Sequence, residues 1–167
     1  MTTLDYQKKV IDLLSEVNRK GIDNLIQFIK DSTYLTTARC HKHHRCNYGL
    51  MMHSLEVFDV MDKNNFAGIP RESLILTSLC HDLGKACLNG KKVGRGYHPQ
   101  RSIDILNQCG VELTDLEREA ICFHHPKGIM GKVANAFRGP LQLLLHLGDC
   151  TSTRINKRGD VYRFSRI

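Results

Sequence analysis

The chain has 167 residues, of which 41% are hydrophobic and 25% are charged, a balance typical of one globular domain. No apolar run approaches the roughly 18 residues of a membrane span, and the start of the sequence lacks the apolar core and cleavage site of a signal peptide. With seven cysteines and no C-x-x-C motif, these features predict a cytoplasmic protein with no membrane partner. The net charge of +7 favours phosphate-bearing partners, although a solvated basic surface without a partner is an equally acceptable interpretation.

Helical periodicity begins near the start of the chain. Apolar residues recur at helical spacing from Tyr6 to Val17, and Gly21 is expected to end this helix. A short second helix is predicted from Ile22 to Lys30, followed by a loop rich in cysteine and histidine. The next predicted helix runs from Leu50 to Met61.

A more apolar helix is predicted in the middle of the chain. Pro70 lies near its start, the stripe runs from Ser73 to His81, and Gly84 is expected to mark its carboxyl end. The sequence LNGKKVGRGYH that follows is rich in glycine and lysine, which predicts a loop.

Three further helices are predicted in the second half. They are Pro99 to Gln108, which Gly110 ends, Thr114 to His124, which opens with a Thr-x-x-Glu capping box, and Leu141 to about Ile155 after Pro140. No stretch alternates with period two, and no repeat or linker divides the sequence. We therefore expect an all-α fold, a compact bundle of about seven or eight helices forming a single domain over 1–167.

Several histidines and aspartates lie at the ends of these helices or within apolar helical segments. His53 lies at the start of one helix, His81 and Asp82 are adjacent at the end of a mostly apolar helix, and Asp149 is the only acid in LLLHLGDC. A carboxylate buried among leucines is costly unless a cation or strong donors accompany it. Convergence on a metal inside the bundle would satisfy all four residues together. Separate roles remain open, such as a core or surface His53, or an Asp149 paired with Arg154.

The words around these residues resemble those of the HD superfamily of metal-dependent phosphohydrolases. GLMMHSLEV is similar to its GL-x-x-H-S helix start, and LCHDLGK to its L-x-HD-(I/L)-GK word. The resemblance covers about residues 43–155, which are expected to hold the core motifs. It implies an all-α fold with one metal held by His53, His81, Asp82 and Asp149.

Two further words resemble the HD members that bind two metals. YHPQRSIDIL is similar to their H-P-x-x-(G/S) segment, and FHHPKG to the HH segment that follows. The resemblance implies a second metal held by His98, His124 and His125, with Asp82 bridging the two ions. KGIMGKV stands where the HD-GYP subgroup has its GYP motif, which argues against cleavage of cyclic dinucleotides.

The stretch CHKHHRCNYGLMMH contains four histidines and two cysteines. HHRCNYGLMMH resembles an HH…GGL-x-x-H word of HD domains related to a bacterial 3′-to-5′ exoribonuclease, with Tyr48 in place of a glycine. In that interpretation His53 is the ligand, and His43 or His44 contacts phosphate. A structural zinc site and plain loop residues are the alternatives. The zinc ligands would be Cys40, His43, His44 and Cys46, which lie closer together than in standard zinc modules.

The resemblance implies an enzyme, a metal-dependent phosphohydrolase of the phosphodiesterase or nucleotidase type. It would cleave a phosphoester or phosphoanhydride bond of a nucleotide or oligonucleotide by a metal-bound hydroxide, with one or two divalent ions of Mn, Fe, Ni, Co or Zn. Asp82 and Lys85 are the predicted catalytic residues, although a lysine in a last helical turn also favours the helix dipole. The predicted substrate-binding residues are His44, Lys85, Lys91, Lys92, Arg95 and Lys127.

The expected substrate is a phosphorylated small molecule or a short nucleic acid. Dinucleoside polyphosphates, nucleoside monophosphates and short single-stranded RNA or DNA all remain open, and the symmetrically cleaving dinucleoside tetraphosphatases are a near analogy. The competing hypothesis is a catalytically inactive, metal-stabilised module that binds nucleic acid or regulates another protein. The basic loop and the basic tail favour that alternative, whereas the complete set of ligand residues opposes it.

Overall fold

A computed structural model describes residues 2–37, 47–124 and 139–155. The helices in these ranges are α1 Thr3–Ser15, α2 Ile22–Asp31, α3 Gly49–Lys63, α4 Arg71–Cys80, α5 His98–Gln108, α6 Asp115–Phe123 and α7 Pro140–Ile155. Thr33–Leu35 and Leu83–Lys85 form 3₁₀ turns, and β1 Cys87–Leu88 pairs with β2 Lys91–Lys92 in a small antiparallel hairpin. The predicted all-α helical bundle is confirmed. Within the described residues, no helix has the length and apolar character needed to cross a membrane.

Helix α3 lies at the centre of the bundle and packs against α1, α4 and α7. Every residue from Gly49 to Phe58 is buried, as expected for a helix that is apolar on nearly all sides. The helix begins one residue before the predicted Leu50, so His53 falls in its second turn rather than its first. Since α3 has no solvent-facing side near His53, any polar group there must find its partners inside the protein.

The predicted capping box at the start of α6 is confirmed. The Thr114 hydroxyl accepts from the Glu117 amide at 3.2 Å, and the Glu117 carboxylate accepts from the Thr114 amide at 2.8 Å. Glu117 is fully buried and also accepts from Arg19 Nη1 and from the Ser73 hydroxyl, both at 2.6 Å. This residue therefore joins α4, α6 and the connection between α1 and α2.

Two glycines have roles that differ from the predicted ones. Helix α1 already ends at Ser15, and Gly21, with φ of +84°, lies directly before α2, where a Cβ would stand 2.4 Å from the Gly110 carbonyl carbon. Helix α4 ends at Cys80, so Gly84 lies in the following 3₁₀ turn. A Cβ on Gly84 would come within 2.2 Å of the His98 carbonyl oxygen. Glycine at position 84 therefore lets the start of α5 approach the turn that carries Asp82.

The lysine-rich segment after Lys85 contains a hairpin that the prediction of a loop missed. Asn89 and Gly90 form its turn with φ of 50° and 73°. Positive φ at both central residues is the requirement of a type I′ turn, which favours Asn-Gly. The hairpin places Lys91 and Lys92 in exposed positions.

Candidate metal centre

Five buried or half-buried residues from four places in the chain come together beside α3. They are His53 on α3, His81 and Asp82 directly after α4, His98 at the start of α5 and His124 directly after α6. Donor atoms of His53, His81 and Asp82 lie within 4.8 Å of one another, as do those of Asp82, His98 and His124. We call these sets the first triad and the second triad. Each triad could hold a metal ion.

The first triad is closed to solvent. His53 Nε2 lies 3.2 Å from His81 Nε2 and 3.7 Å from Asp82 Oδ2, and His81 Nε2 lies 3.5 Å from the same oxygen. Asp149 on α7 borders this triad, with Oδ1 3.2 Å from His53 Nε2. The structure therefore brings together the four residues that the resemblance implied for one metal. Asp149 faces His53, and its pairing with Arg154 stays an open alternative.

The second triad uses the other oxygen of Asp82. His98 Nε2 lies 3.2 Å and His124 Nε2 3.6 Å from Asp82 Oδ1, and the two nitrogens are 3.3 Å apart. The His98 side chain is 21% exposed, whereas that of His124 is fully buried. Solvent therefore reaches the second triad at His98.

Hydrogen bonds fix the orientation of two imidazoles. His81 Nδ1 donates to the Ser78 carbonyl at 2.8 Å, and His124 Nδ1 donates to the Ile121 carbonyl at 2.6 Å. A carbonyl oxygen can only accept, so the proton of each neutral ring is on Nδ1. Each Nε2 then presents a lone pair towards the triads, the tautomer and orientation found in metal-bound histidines.

Burial and neighbouring charge keep His81, His98 and Asp82 in the protonation states that metal binding requires. Burial lowers the pKa of His81 well below its usual value, and it lowers the pKa of His98 despite the nearby Asp82. Burial alone would raise the pKa of Asp82, but the Lys85 ammonium beside it holds that pKa well below its ordinary range. Neutral imidazoles and an ionised carboxylate are the forms that coordinate a metal.

The spacing of the donor atoms also fits a transition metal. Two neighbouring ligands at about 2.0–2.1 Å from one ion lie roughly 3.0–3.4 Å from each other. The Nε2 atoms are separated by 3.2 Å in the pair His53–His81 and by 3.3 Å in the pair His98–His124. In each pair at least one ring, His81 or His124, presents an Nε2 lone pair that a cation could accept. Imidazole and carboxylate donors suit Zn, Fe, Mn or Ni.

Lys85 adds a positive charge at the edge of the two triads. Its Nζ lies 2.5 Å from Asp82 Oδ2, and its side chain is 20% exposed. The interpretation of Lys85 as a last-turn lysine that favours the helix dipole is wrong, because α4 ends at Cys80 and Lys85 lies in the following 3₁₀ turn. Its cationic group instead pairs with the carboxylate shared by both triads.

Tyr48, which stands where the resembling pattern has a glycine, has a backbone conformation that favours glycine. Its φ is 72°, in the left-handed region, and α3 begins at the next residue. The Tyr48 amide donates to the Thr36 carbonyl at 3.1 Å. A non-glycine residue in this region carries a strain of about 1–2 kcal/mol. The departure from the pattern therefore keeps the backbone geometry, at some expense in stability.

Several predicted site residues lie outside the described residues. They are His43 and His44 with the alternative zinc ligands Cys40 and Cys46, His125 with Lys127, and the basic residues of the tail beyond Ile155. Their assignments stay predictions. Of the basic loop residues, Lys91 and Lys92 are exposed, and the amide of Arg95 donates to Asp104 Oδ2 at 2.9 Å.

Sequence reasoning missed two residues behind His53. His53 Nδ1 lies 2.9 Å from the Ser152 hydroxyl on α7, and that hydroxyl donates to Glu56 Oε2 on α3 at 2.5 Å. Glu56 follows His53 by three residues, and Ser152 follows Asp149 by three residues. This spacing places each pair on one helix face, a signal that the sequence did contain.

No protein-family model matches the sequence, and no curated protein and no solved structure matches it.

Proposed function

We propose that this protein is a metal-dependent phosphohydrolase that cleaves a phosphoester or phosphoanhydride bond of a nucleotide or oligonucleotide. The observation that carries the proposal is the division of Asp82 between the triads. Its Oδ2 faces His53 and His81, and its Oδ1 faces His98 and His124. A carboxylate that offers one oxygen to each of two ligand sets is the arrangement expected of a bridging ligand in a two-metal site.

The residues of the two triads, together with Asp149, form two sets of metal ligands in this proposal. His53, His81 and Asp149 would hold one ion, His98 and His124 the other, and Asp82 both. Divalent Mn, Fe, Ni, Co or Zn would supply Lewis acidity and lower the pKa of a bound water to near 7. The closed first triad excludes solvent, and the partial exposure of His98 leaves the second triad as the side from which a substrate arrives.

Lys85 is the residue that we assign to the negative charge of the phosphate. Its ammonium is held beside Asp82 and is still 20% exposed, so it reaches both the shared carboxylate and the solvent side. A fixed cation at this point stabilises the charge that gathers on the phosphate oxygens during in-line displacement. Lys91 and Lys92, exposed on the hairpin that follows Lys85, extend the positive field along the chain.

The exposed hairpin lysines also support a second candidate, a module that binds nucleic acid without cleaving it. The two candidates differ in what the triads do. Replacing Lys91, Lys92 and Arg95 together by alanine should weaken binding of single-stranded RNA in both cases. Only the phosphohydrolase also loses turnover in Asp82→Ala. A protein that binds RNA through these residues and cleaves no phosphoester would favour the module.

The test is a hydrolysis panel with added Mn²⁺. It contains 5′-nucleotides, a dinucleoside tetraphosphate, a cyclic dinucleotide, and single-stranded RNA and DNA. Asp82→Ala is the inactive variant, and Asp12→Ala, which removes a 57% exposed aspartate on α1, is its matched control. We expect turnover of one substrate class by the wild type and by Asp12→Ala, and none by Asp82→Ala. Silence across the panel in protein shown to carry metal would contradict the proposal.

A further inference from the structure

Ser152 and Glu56 form a buried chain of hydrogen bonds behind His53. Ser152 is fully buried and Glu56 is 6% exposed. The chain runs from His53 Nδ1 to the Ser152 hydroxyl at 2.9 Å and on to Glu56 Oε2 at 2.5 Å. It therefore crosses from α3 to α7 and back to α3.

The single hydroxyl proton of Ser152 sets the direction of these bonds. A hydroxyl that donates to Glu56 must accept from His53, so the ring proton of His53 is on Nδ1. His53 Nε2 then directs its lone pair at the first triad and towards Asp149, 3.2 Å away. Ser152 and Asp149 lie one turn apart on α7, so this helix contacts both ring nitrogens of His53.

We propose that Ser152 and Glu56 are positioning residues that fix the tautomer and ring orientation of His53, and thereby the affinity of the first triad for its metal. This inference rests on the metal-binding part of the proposed function. Outer hydrogen-bond partners of this kind commonly change metal affinity by about 10–100-fold.

The other buried rings do not need such side chains. His81 and His124 follow the ends of their helices, where they donate to the carbonyl of the residue three positions earlier. His53 lies inside α3, where the nearby carbonyls serve the helix itself. Its Nδ1 therefore takes its partner from a side chain of α7. This difference makes the orientation of His53 sensitive to a side-chain substitution on α7.

The principal experiment is titration of the metal-free protein with Mn²⁺ and with Zn²⁺ by calorimetry. In Ser152→Ala we expect one of two sites to weaken at least about tenfold, with the other unchanged. Ser152→Thr keeps the hydroxyl and should restore the affinity. Glu56→Gln keeps an acceptor oxygen and should weaken that site less than Glu56→Leu does.

Ser73→Ala is the matched control. Ser73 is buried like Ser152, and its hydroxyl also donates to a buried glutamate, Glu117 Oε1, at 2.6 Å. Ser73 precedes His81 by eight residues along α4, about 12 Å at the helical rise. We expect Ser73→Ala to lower the midpoint of thermal unfolding and to leave both metal affinities unchanged. Loss of one metal site in Ser73→Ala as well would assign the effect of Ser152→Ala to general destabilisation and overturn the inference.

A second measurement does not depend on metal. Nitrogen-15 NMR of the histidine rings in the metal-free protein should show His53 protonated at Nδ1 in the wild type and in Ser152→Thr, and a shift of that equilibrium in Ser152→Ala. A wild-type His53 protonated at Nε2, or unchanged metal affinities in Ser152→Ala, would overturn the inference. A wild-type protein that takes up no metal would instead overturn the proposed function, and the ring tautomer would still decide whether Ser152 positions His53.

Discussion

Two regions of this molecule bury charged side chains, and they do so in opposite ways. Around Glu117, donors meet acceptors, because its carboxylate accepts from Arg19, Ser73 and the Thr114 amide at 2.6–2.8 Å. Around Asp82, acceptors also meet acceptors, because the Nε2 lone pairs of His53 and His81 face each other at 3.2 Å. In the first region, protein donors satisfy the buried carboxylate. The second leaves acceptors that a cation could bind, which is the difference between a structural network and a candidate site.

The largest effect should come from removing the residue that both triads share. Asp82→Ala takes one oxygen from each triad, so we expect both metals to be lost and turnover to fall by at least about a thousandfold. Helicity should be largely preserved, because Asp82 follows the end of α4. Metal analysis and circular dichroism on the same sample would measure both. Metal retained at wild-type stoichiometry would contradict the bridging role of Asp82.

His98→Ala should disrupt the second triad and leave the first triad intact. His98 belongs to the second triad alone, and its side chain is 21% exposed, so its loss opens little buried space. We expect one metal to be lost, the other to remain, and turnover to fall by about a hundredfold or more. Stoichiometry by elemental analysis is the measurement. A wild-type protein that never holds more than one metal would show that the second triad is not a metal site.

The sequence predicted more of the second region than of the first. Expected burial marked the adjacent pair His81-Asp82 and the lone acid Asp149 as candidates, whereas His98 was implied by the resemblance of its H-P segment. The capping box of Thr114 and Glu117 was equally local and was confirmed. Local signals of this kind survive folding because each depends on residues within about one helical turn.

The contacts that the sequence did not predict join distant residues. Arg19 reaches Glu117 across 98 positions, and Ser152 reaches Glu56 across 96. No periodicity specifies which serine or arginine will arrive at a buried carboxylate, since that depends on how α3, α4 and α7 pack. The hairpin after Lys85 was missed for a different reason. Asn89-Gly90 is a strong turn signal, but the strands on either side have only two residues each, too few to show an alternating pattern.

Breaking the structural network should affect stability and leave the metals in place. Arg19→Ala strands the fully buried Glu117 carboxylate, and we expect the free energy of unfolding to fall by about 3 kcal/mol. Arg71→Ala, which breaks half-exposed pairs with Glu16 and Asp62, is the control and should lower it by less than about 1 kcal/mol. Urea denaturation gives the free energy, and metal analysis gives the stoichiometry. Loss of metal in Arg19→Ala would show that the two regions are coupled.

The smallest effect concerns the metal-free protein as the pH is lowered. Burial lowers the pKa of His81 and of His98 in the folded state from a usual value of 6.5, so the unfolded chain binds more protons than the folded protein below that pH. Stability is therefore fully present above pH 6.5 and is lost as the pH falls through that value, at up to about 1.4 kcal/mol per pH unit for each imidazole. Asp82 and Glu117, whose pKa values are lowered from 3.8 and 4.5, add their loss only at more acidic pH. Urea denaturation between pH 7 and pH 5.5 measures the contribution of the histidines, because the carboxylates titrate at lower pH. His98→Ala should reduce the slope of the free energy of unfolding against pH by the contribution of one imidazole. A free energy of unfolding that does not change over this pH range in the wild type would mean that the fold does not hold these rings neutral. The ring lone pairs that distinguish the Asp82 region from the Glu117 region would then not be available to a cation.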